Sequence, residues 1–167
     1  MAAQPGKDTP LRLLVVEDNP DDIELIRMKL DGVPSDRRFA IEAVDRLSAA
    51  LRRLKGADVV LLDLGLPDSG GIEAVARLSN EAPEIPIVVL TGRDDSALGL
   101  RAVREGAQDF LVKDKVDGPL LDRSLRYAVE RKRAEQALAR LATIMGAICY
   151  DCGRKLSFDH PTKGFES

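Results

Sequence analysis

Tryptophan is absent from this 167-residue chain, histidine occurs once and cysteine twice. Two cysteines do not make a disulfide framework. The single histidine, His160, sits before Pro161 in a polar stretch without the helical setting of a phosphodonor histidine, which argues against a histidine kinase. Long apolar runs are also missing: the longest, such as those at 13–16 and 59–62, hold four residues, against the ~20 needed to span a bilayer. The first ten residues, MAAQPGKDTP, lack the apolar stretch of a secretory signal. No charge of one sign dominates, with 28 acidic against 25 basic residues and a net charge of -3. Bulk electrostatics therefore give no reason to expect nucleic-acid binding. These absences imply a soluble, cytoplasmic protein that engages neither membrane nor nucleic acid. What is present is ordinary for a globular domain: 44% hydrophobic and 32% charged residues, in a length that favours one domain plus extensions.

Five short apolar runs punctuate the chain, at 11–16, 39–44, 59–62, 87–90 and 110–112. The first, third and fourth are near-continuous Val/Leu/Ile, the pattern of strands buried on both faces of a parallel sheet. The second alternates and belongs nearer an edge. Helical segments lie between them. Asn19-Pro20 supplies an N-cap and a first-turn proline, followed by Ile23, Ile26 and Leu30 on one face. Further helices are expected at 47–55, 71–81 and 96–105, and a fifth from Gly118-Pro119. Fivefold strand–helix alternation points to right-handed crossovers and an α/β fold with a five-stranded parallel sheet.

The fifth helix is too long for such a domain, because no Pro or Gly interrupts it between Pro119 and Gly146. Leu121, Leu125, Ala128 and Val129 form one apolar stripe. Ala134, Leu138, Leu141, Met145 and Ile148 form a second. Stepped back by sevens, the second stripe falls on Ser124, Tyr127 and Arg131, so the two occupy different faces. The second is a candidate coiled-coil seam of about two heptads. The alternative is an arm that folds back. The expected organisation is a flexible N-terminal tail over 1–10, a domain over 11–131, a helical extension over 132–148 and a tail over 149–167.

Ligands of open parallel sheets bind beyond the carboxyl ends of the strands. Glu17 and Asp18 follow the first run, Asp63 ends the third, Thr91-Gly92 ends the fourth and Lys113 the fifth. Three carboxylates in one crevice repel one another and call for a cation or shifted pKa values. Mg²⁺, with its preference for hard oxygen ligands, suits them. Lys113 can neutralise an incoming phosphoryl group, and a carboxylate can serve as the nucleophile. The plainer explanation, that each acid caps a helix or sits in a turn, fits any one of them but not all five groups in this order.

The motifs LLVVEDNPDD, VVLLDLGLPDSGG, PIVVLTG and GAQDFLVK make the chain resemble, from about residue 11 to 131, a response-regulator receiver domain of two-component signalling systems. The resemblance implies a flavodoxin-like (βα)5 fold with sheet order 2-1-3-4-5. It implies Asp63 as the phosphoacceptor, with Glu17, Asp18, Asp63 and the Gly65 carbonyl as Mg²⁺ ligands. Thr91 and Lys113 would hold the phosphoryl group, and Gly92 would allow its close approach. Phe110 occupies the place of an aromatic switch residue, or is an ordinary edge aromatic. The implied partner is a sensor histidine kinase or phosphotransfer protein, and the second stripe adds a homodimer through the last helix. One departure stands out: Asp114 follows Lys113 where the family usually has proline, so a trans peptide and a differently shaped loop are expected there. Arg93, close to the site, could tune the lifetime of the phosphoryl group.

Rival readings are weaker. A phosphatase of the haloacid dehalogenase type resembles this site in its aspartyl nucleophile but carries a second aspartate two residues on, where Gly65 stands here. A vestigial scaffold would not need the full set of acids with Thr91 and Lys113. No DNA-binding module is recognisable for a transcription factor. Cys149-x-x-Cys152 is half a zinc knuckle, or two unpaired thiols. The expected function is thus a phosphorylatable switch, not an enzyme that turns over a separate substrate.

Overall fold

A computed structural model of the chain describes residues 9–35, 38–92 and 96–151, with Ser96 and residues 147–151 described as backbone only. Arg93, Cys152 and His160, and the side chains of Ile148 and Cys149, lie outside the described residues.

Five parallel strands alternate with helices: β1 (Leu11–Val16), α1 (Pro20–Asp31), β2 (Phe39–Val44), α2 (Leu47–Arg53), β3 (Val59–Asp63), α3 (Ile72–Glu81), β4 (Ile87–Thr91), α4 (Ser96–Arg104), β5 (Asp109–Val112) and α5 (Gly118–Asp151). The sheet order is β2-β1-β3-β4-β5, all neighbours parallel. This is the flavodoxin-like order that the resemblance implies.

Side-chain alternation sorts each strand between two cores. Leu14, Val16, Val60, Leu62 and Val89 pack with α2, α3 and α4 on one face. Leu13, Val15, Val59, Leu61, Val88 and Leu90 pack with α1 and α5 on the other. Every residue of β3 and β4 is therefore buried, and these strands read as unbroken apolar runs. β2, at the sheet edge, keeps the alternating half-burial that its sequence announces.

Local chemistry sets the helix ends. Asn19 caps α1, its Oδ1 accepting the Asp21 amide at 2.9 Å, with Pro20 in the first turn. The expected helix 47–55 ends earlier: α2 gives way to a 3₁₀ turn at Leu54–Gly56, closed by the Ala57 amide on the Leu54 carbonyl. Gly71, expected as helical, instead precedes α3 with φ of 66°, a left-handed conformation that favours glycine.

Gly99 lies buried inside α4, where glycine ordinarily weakens a helix. Its reason is the Phe110 ring: a Cβ at residue 99 would lie 2.5 Å from Phe110 Cδ2. Gly99→Ala should therefore lower stability by about 1–3 kcal/mol through overpacking. With Phe110→Ala in place, the same change should raise stability by about 0.5–1 kcal/mol through helix propensity. Urea unfolding of the four proteins reads that reversal of sign. Destabilisation in both backgrounds would refute the Phe110 explanation.

The chain divides into two compact units within α5, residues 1–133 and 134–167. In the first, Leu121, Leu125, Ala128 and Val129 are buried. In the second, Leu138, Leu141, Ile144 and Met145 are each more than half exposed. Helix continues through Gly146 to Asp151. Among the described residues no helix is long and apolar enough to cross a membrane.

Candidate functional site

The carboxyl ends of β1, β3, β4 and β5 bring the expected residues to one edge of the sheet. Asp63 is the last residue of β3, Glu17 and Asp18 directly follow β1, Thr91 ends β4, and Lys113 directly follows β5. Register aligns the strands closely there: Asp63 pairs with Leu90, and Thr91 with Val112. Residues 46 positions apart in sequence thus converge because parallel strands end together.

Glu17 is 1% exposed and both its oxygens are engaged. Oε1 accepts the Asn19 amide at 3.1 Å, and Oε2 accepts the Lys113 ammonium at 2.7 Å. Burial, the largest influence, pushes the Glu17 carboxyl above its ordinary value against the Lys113 hydrogen bond and the Asn19 amide, and the Asp63 charge adds to the rise. Asp63 is also buried, and its Oδ1 lies 3.4 Å from Lys113 Nζ. Asp18 is exposed at the rim. One carboxylate oxygen from each of Glu17, Asp18 and Asp63 falls within 4.8 Å of the others, close enough to share a cation. Carboxylates alone are a hard-oxygen donor set, and their mutual repulsion is relieved by a divalent ion. Gly65 lies beside this group: a Cβ there would come within 3.2 Å of Asp63 Oδ2.

Lys113 is the counter-charge of the crevice. Its Nζ reaches Glu17 at 2.7 Å, Asp22 at 3.0 Å and Asp63 at 3.4 Å. Burial alone would pull the ammonium down, but hydrogen bonds to Glu17 and Asp22 and the Asp63 charge together push it above its ordinary value. Lys113 is charged at any physiological pH. Thr91 is 1% exposed, and its hydroxyl donates to the Leu111 carbonyl across 3.4 Å. Phe110 is half-buried on the α3–α4 side, pairing with Val89 and seated on Gly99. The Lys113–Asp114 peptide is trans, as no described peptide bond is cis.

Two residues were not singled out in the sequence. Asp22 holds Lys113, and the signal was its place in the first turn of α1, four residues after Asp18. Asp68 caps α2 from the β3–α3 loop, accepting the Leu47 amide at 2.9 Å and the Ser48 amide at 3.1 Å. Those amides hold its carboxyl below the usual range. This cap ties the loop that carries Gly65 to a helix on the flank of the sheet.

Residues 13–124 match the response regulator receiver domain. The chain belongs to the response regulator receiver family. Protein-glutamate methylesterase/protein-glutamine glutaminase 2 of Anaeromyxobacter dehalogenans (strain 2CP-C) is 36% identical over 115 residues, covering 69% of this chain and 33% of that protein. The KDP operon transcriptional regulatory protein KdpE of Escherichia coli (strain K12) is 36% identical over 127 residues, covering 75% and 54%. The chain thus spans between a third and just over half the length of these relatives. Among solved structures, the signal receiver domain of a modulated diguanylate cyclase from Desulfovibrio desulfuricans G20 superposes with a TM-score of 0.63 at 26% identity, covering 75% of this chain and 98% of that one. The receiver is a phosphoacceptor signalling domain of the two-component phosphorelay type.

Proposed function

We propose that Asp63 is the phosphoacceptor and that this receiver takes its phosphoryl group from a sensor histidine kinase or phosphotransfer protein in the cytoplasm. The observation that carries this reading is the placement of the buried Asp63 carboxylate between two further carboxylates and the Lys113 ammonium at the sheet edge. In the transfer, an Asp63 carboxylate oxygen forms the new bond to phosphorus. The phosphorus–nitrogen bond of the donor phosphohistidine breaks, and its electron pair leaves with the imidazole. Lys113 pairs with a phosphoryl oxygen. The Thr91 hydroxyl leaves the long contact to Leu111 and donates to the phosphoryl group, and Phe110 follows as the switch residue. Glu17, Asp18, Asp63 and the Gly65 carbonyl would hold Mg²⁺, which when bound offsets negative charge on acceptor and phosphoryl group. Gly92 leaves room for the group to approach.

Beryllofluoride, a phosphoryl mimic, tests the acceptor without a donor. It should raise the melting temperature of the wild type only when Mg²⁺ is present, and leave Asp63→Asn unmoved. An equal rise in both proteins would refute Asp63 as the acceptor.

The helical arm supports a second element of the reading. Leu138, Leu141 and Met145 lie exposed at the expected spacing of a seam, and a homodimer through α5 would bury them. Sedimentation of the full chain and of a truncation ending at Arg131 reads this directly. The full chain should self-associate and the truncation should not, and equal behaviour would refute the arm as the interface.

A further inference from the structure

Asp22 stands outside the acidic cluster, yet its Oδ2 lies 3.0 Å from Lys113 Nζ. An ammonium has three N–H donors, and three carboxylates surround this one at unequal distances. Glu17 and Asp22 take the short contacts, at 2.7 and 3.0 Å, and Asp63 the long one, at 3.4 Å. The carboxylate proposed to attack phosphorus is the one held least tightly. A helix dipole accounts for an acid in the first turn of α1, but not for its contact with a lysine 91 residues away. Two further contacts hold α1 against the segment that follows β5. The Lys29 ammonium donates to the Val116 carbonyl at 2.8 Å, fixing α1 to the loop after β5. Gly118 presses so closely on the Lys29 carbonyl that a Cβ there would collide with it.

We propose that Asp22 is a positioning residue that draws the Lys113 ammonium away from Asp63. It leaves the Asp63 carboxylate free to attack and keeps the Glu17–Asp18–Asp63 pocket anionic enough for a divalent cation. This rests on Asp63 being the acceptor and extends that reading to a residue on α1. Without the Asp22 charge, the ammonium would settle between Glu17 and Asp63, pairing with the nucleophile and opposing the cation.

The test measures the Mg²⁺ dissociation constant by calorimetry, and the rate of phosphoryl uptake from acetyl phosphate, in wild type, Asp22→Asn, Asp22→Glu, Lys113→Met and Asp22→Asn/Lys113→Met. Asp22→Asn should weaken Mg²⁺ binding about fivefold, what one unit charge about 4 Å away is worth when fully screened by bulk water. It should slow uptake to a similar degree, and Asp22→Glu should recover most of both. In the Lys113→Met background the same substitution should change Mg²⁺ binding less than about twofold, because the residue acts through the ammonium. Equal weakening in both backgrounds would mean that Asp22 acts by its own charge on the cation, and would overturn the proposal. No weakening in either would overturn it too. The calorimetric cycle does not depend on phosphoryl transfer. If wild type bound Mg²⁺ but took up no phosphoryl group, the acceptor reading would fall, while a Lys113-dependent effect of Asp22 on Mg²⁺ would still uphold the positioning.

Discussion

In the absence of divalent metal, Asp63→Asn is expected to be more stable than the wild type by about 1–2 kcal/mol. The Asp63 side chain is 10% exposed and shares its crevice with two other carboxylates, their oxygens within 4.8 Å. Its ionised form is therefore both desolvated and repelled. Its compensation is a 3.4 Å contact to a lysine that Glu17 and Asp22 hold more closely. Asparagine keeps the shape and removes the charge. Added Mg²⁺ should reverse the order: a ligand at 100 times its dissociation constant stabilises the protein that binds it by about 2.7 kcal/mol, and the variant has lost a ligand oxygen's charge. Denaturant unfolding with and without Mg²⁺ reads both. A metal-free variant less stable than wild type would show that the acids are not in conflict.

The neighbouring substitution should act in the opposite direction. Lys113→Met is expected to cost about 2–4 kcal/mol in metal-free protein, because it strips the counter-charge from buried Glu17 and from Asp63 and Asp22 together. The loss should depend on pH, and the sign follows from Glu17. Its carboxyl already titrates above the ordinary value of 4.5 in the folded chain, chiefly through burial. A carboxyl raised on folding contributes stability that is present below its unfolded value and lost as pH rises through its folded one. Removing the ammonium raises it further, so the deficit of the variant should be smallest below pH 4.5 and should grow as pH rises above it. Mg²⁺ should recover more stability in the variant than in wild type, since the ion then stands in for the lost ammonium as counter-charge to the cluster. A deficit that did not vary with pH would locate the effect in lost packing of the lysine stem instead.

Much of this was legible in the sequence because two physical periodicities were strong. Strands buried on both faces had to be continuous apolar runs, so β1, β3 and β4 announced themselves, and β2 betrayed its edge position by alternating. Strand ends then nominated Glu17, Asp18, Asp63, Thr91 and Lys113 without knowledge of the sheet order. The structure brings Glu17, Asp18 and Asp63 together, places Lys113 among them, and leaves the Thr91 hydroxyl turned toward β5. Strand order itself came from the family resemblance, since alternation of elements does not number a sheet. Asp22 and Asp68 were missed because their partners are reached through tertiary geometry. An acid in a first turn and an acid in a Pro-Asp-Ser-Gly loop each have ordinary local explanations. The reason for Gly99 was equally invisible, since only the packed Phe110 ring explains a glycine inside α4.

The central claim is that the acidic crevice passes a phosphoryl group to one aspartate. It is tested most directly by intact mass after incubation with acetyl phosphate and Mg²⁺, for wild type and Asp63→Asn. The account predicts a gain of one phosphoryl group in the wild type and none in the variant. A gain in both proteins, or in neither when beryllofluoride also leaves the wild type unchanged, would contradict it.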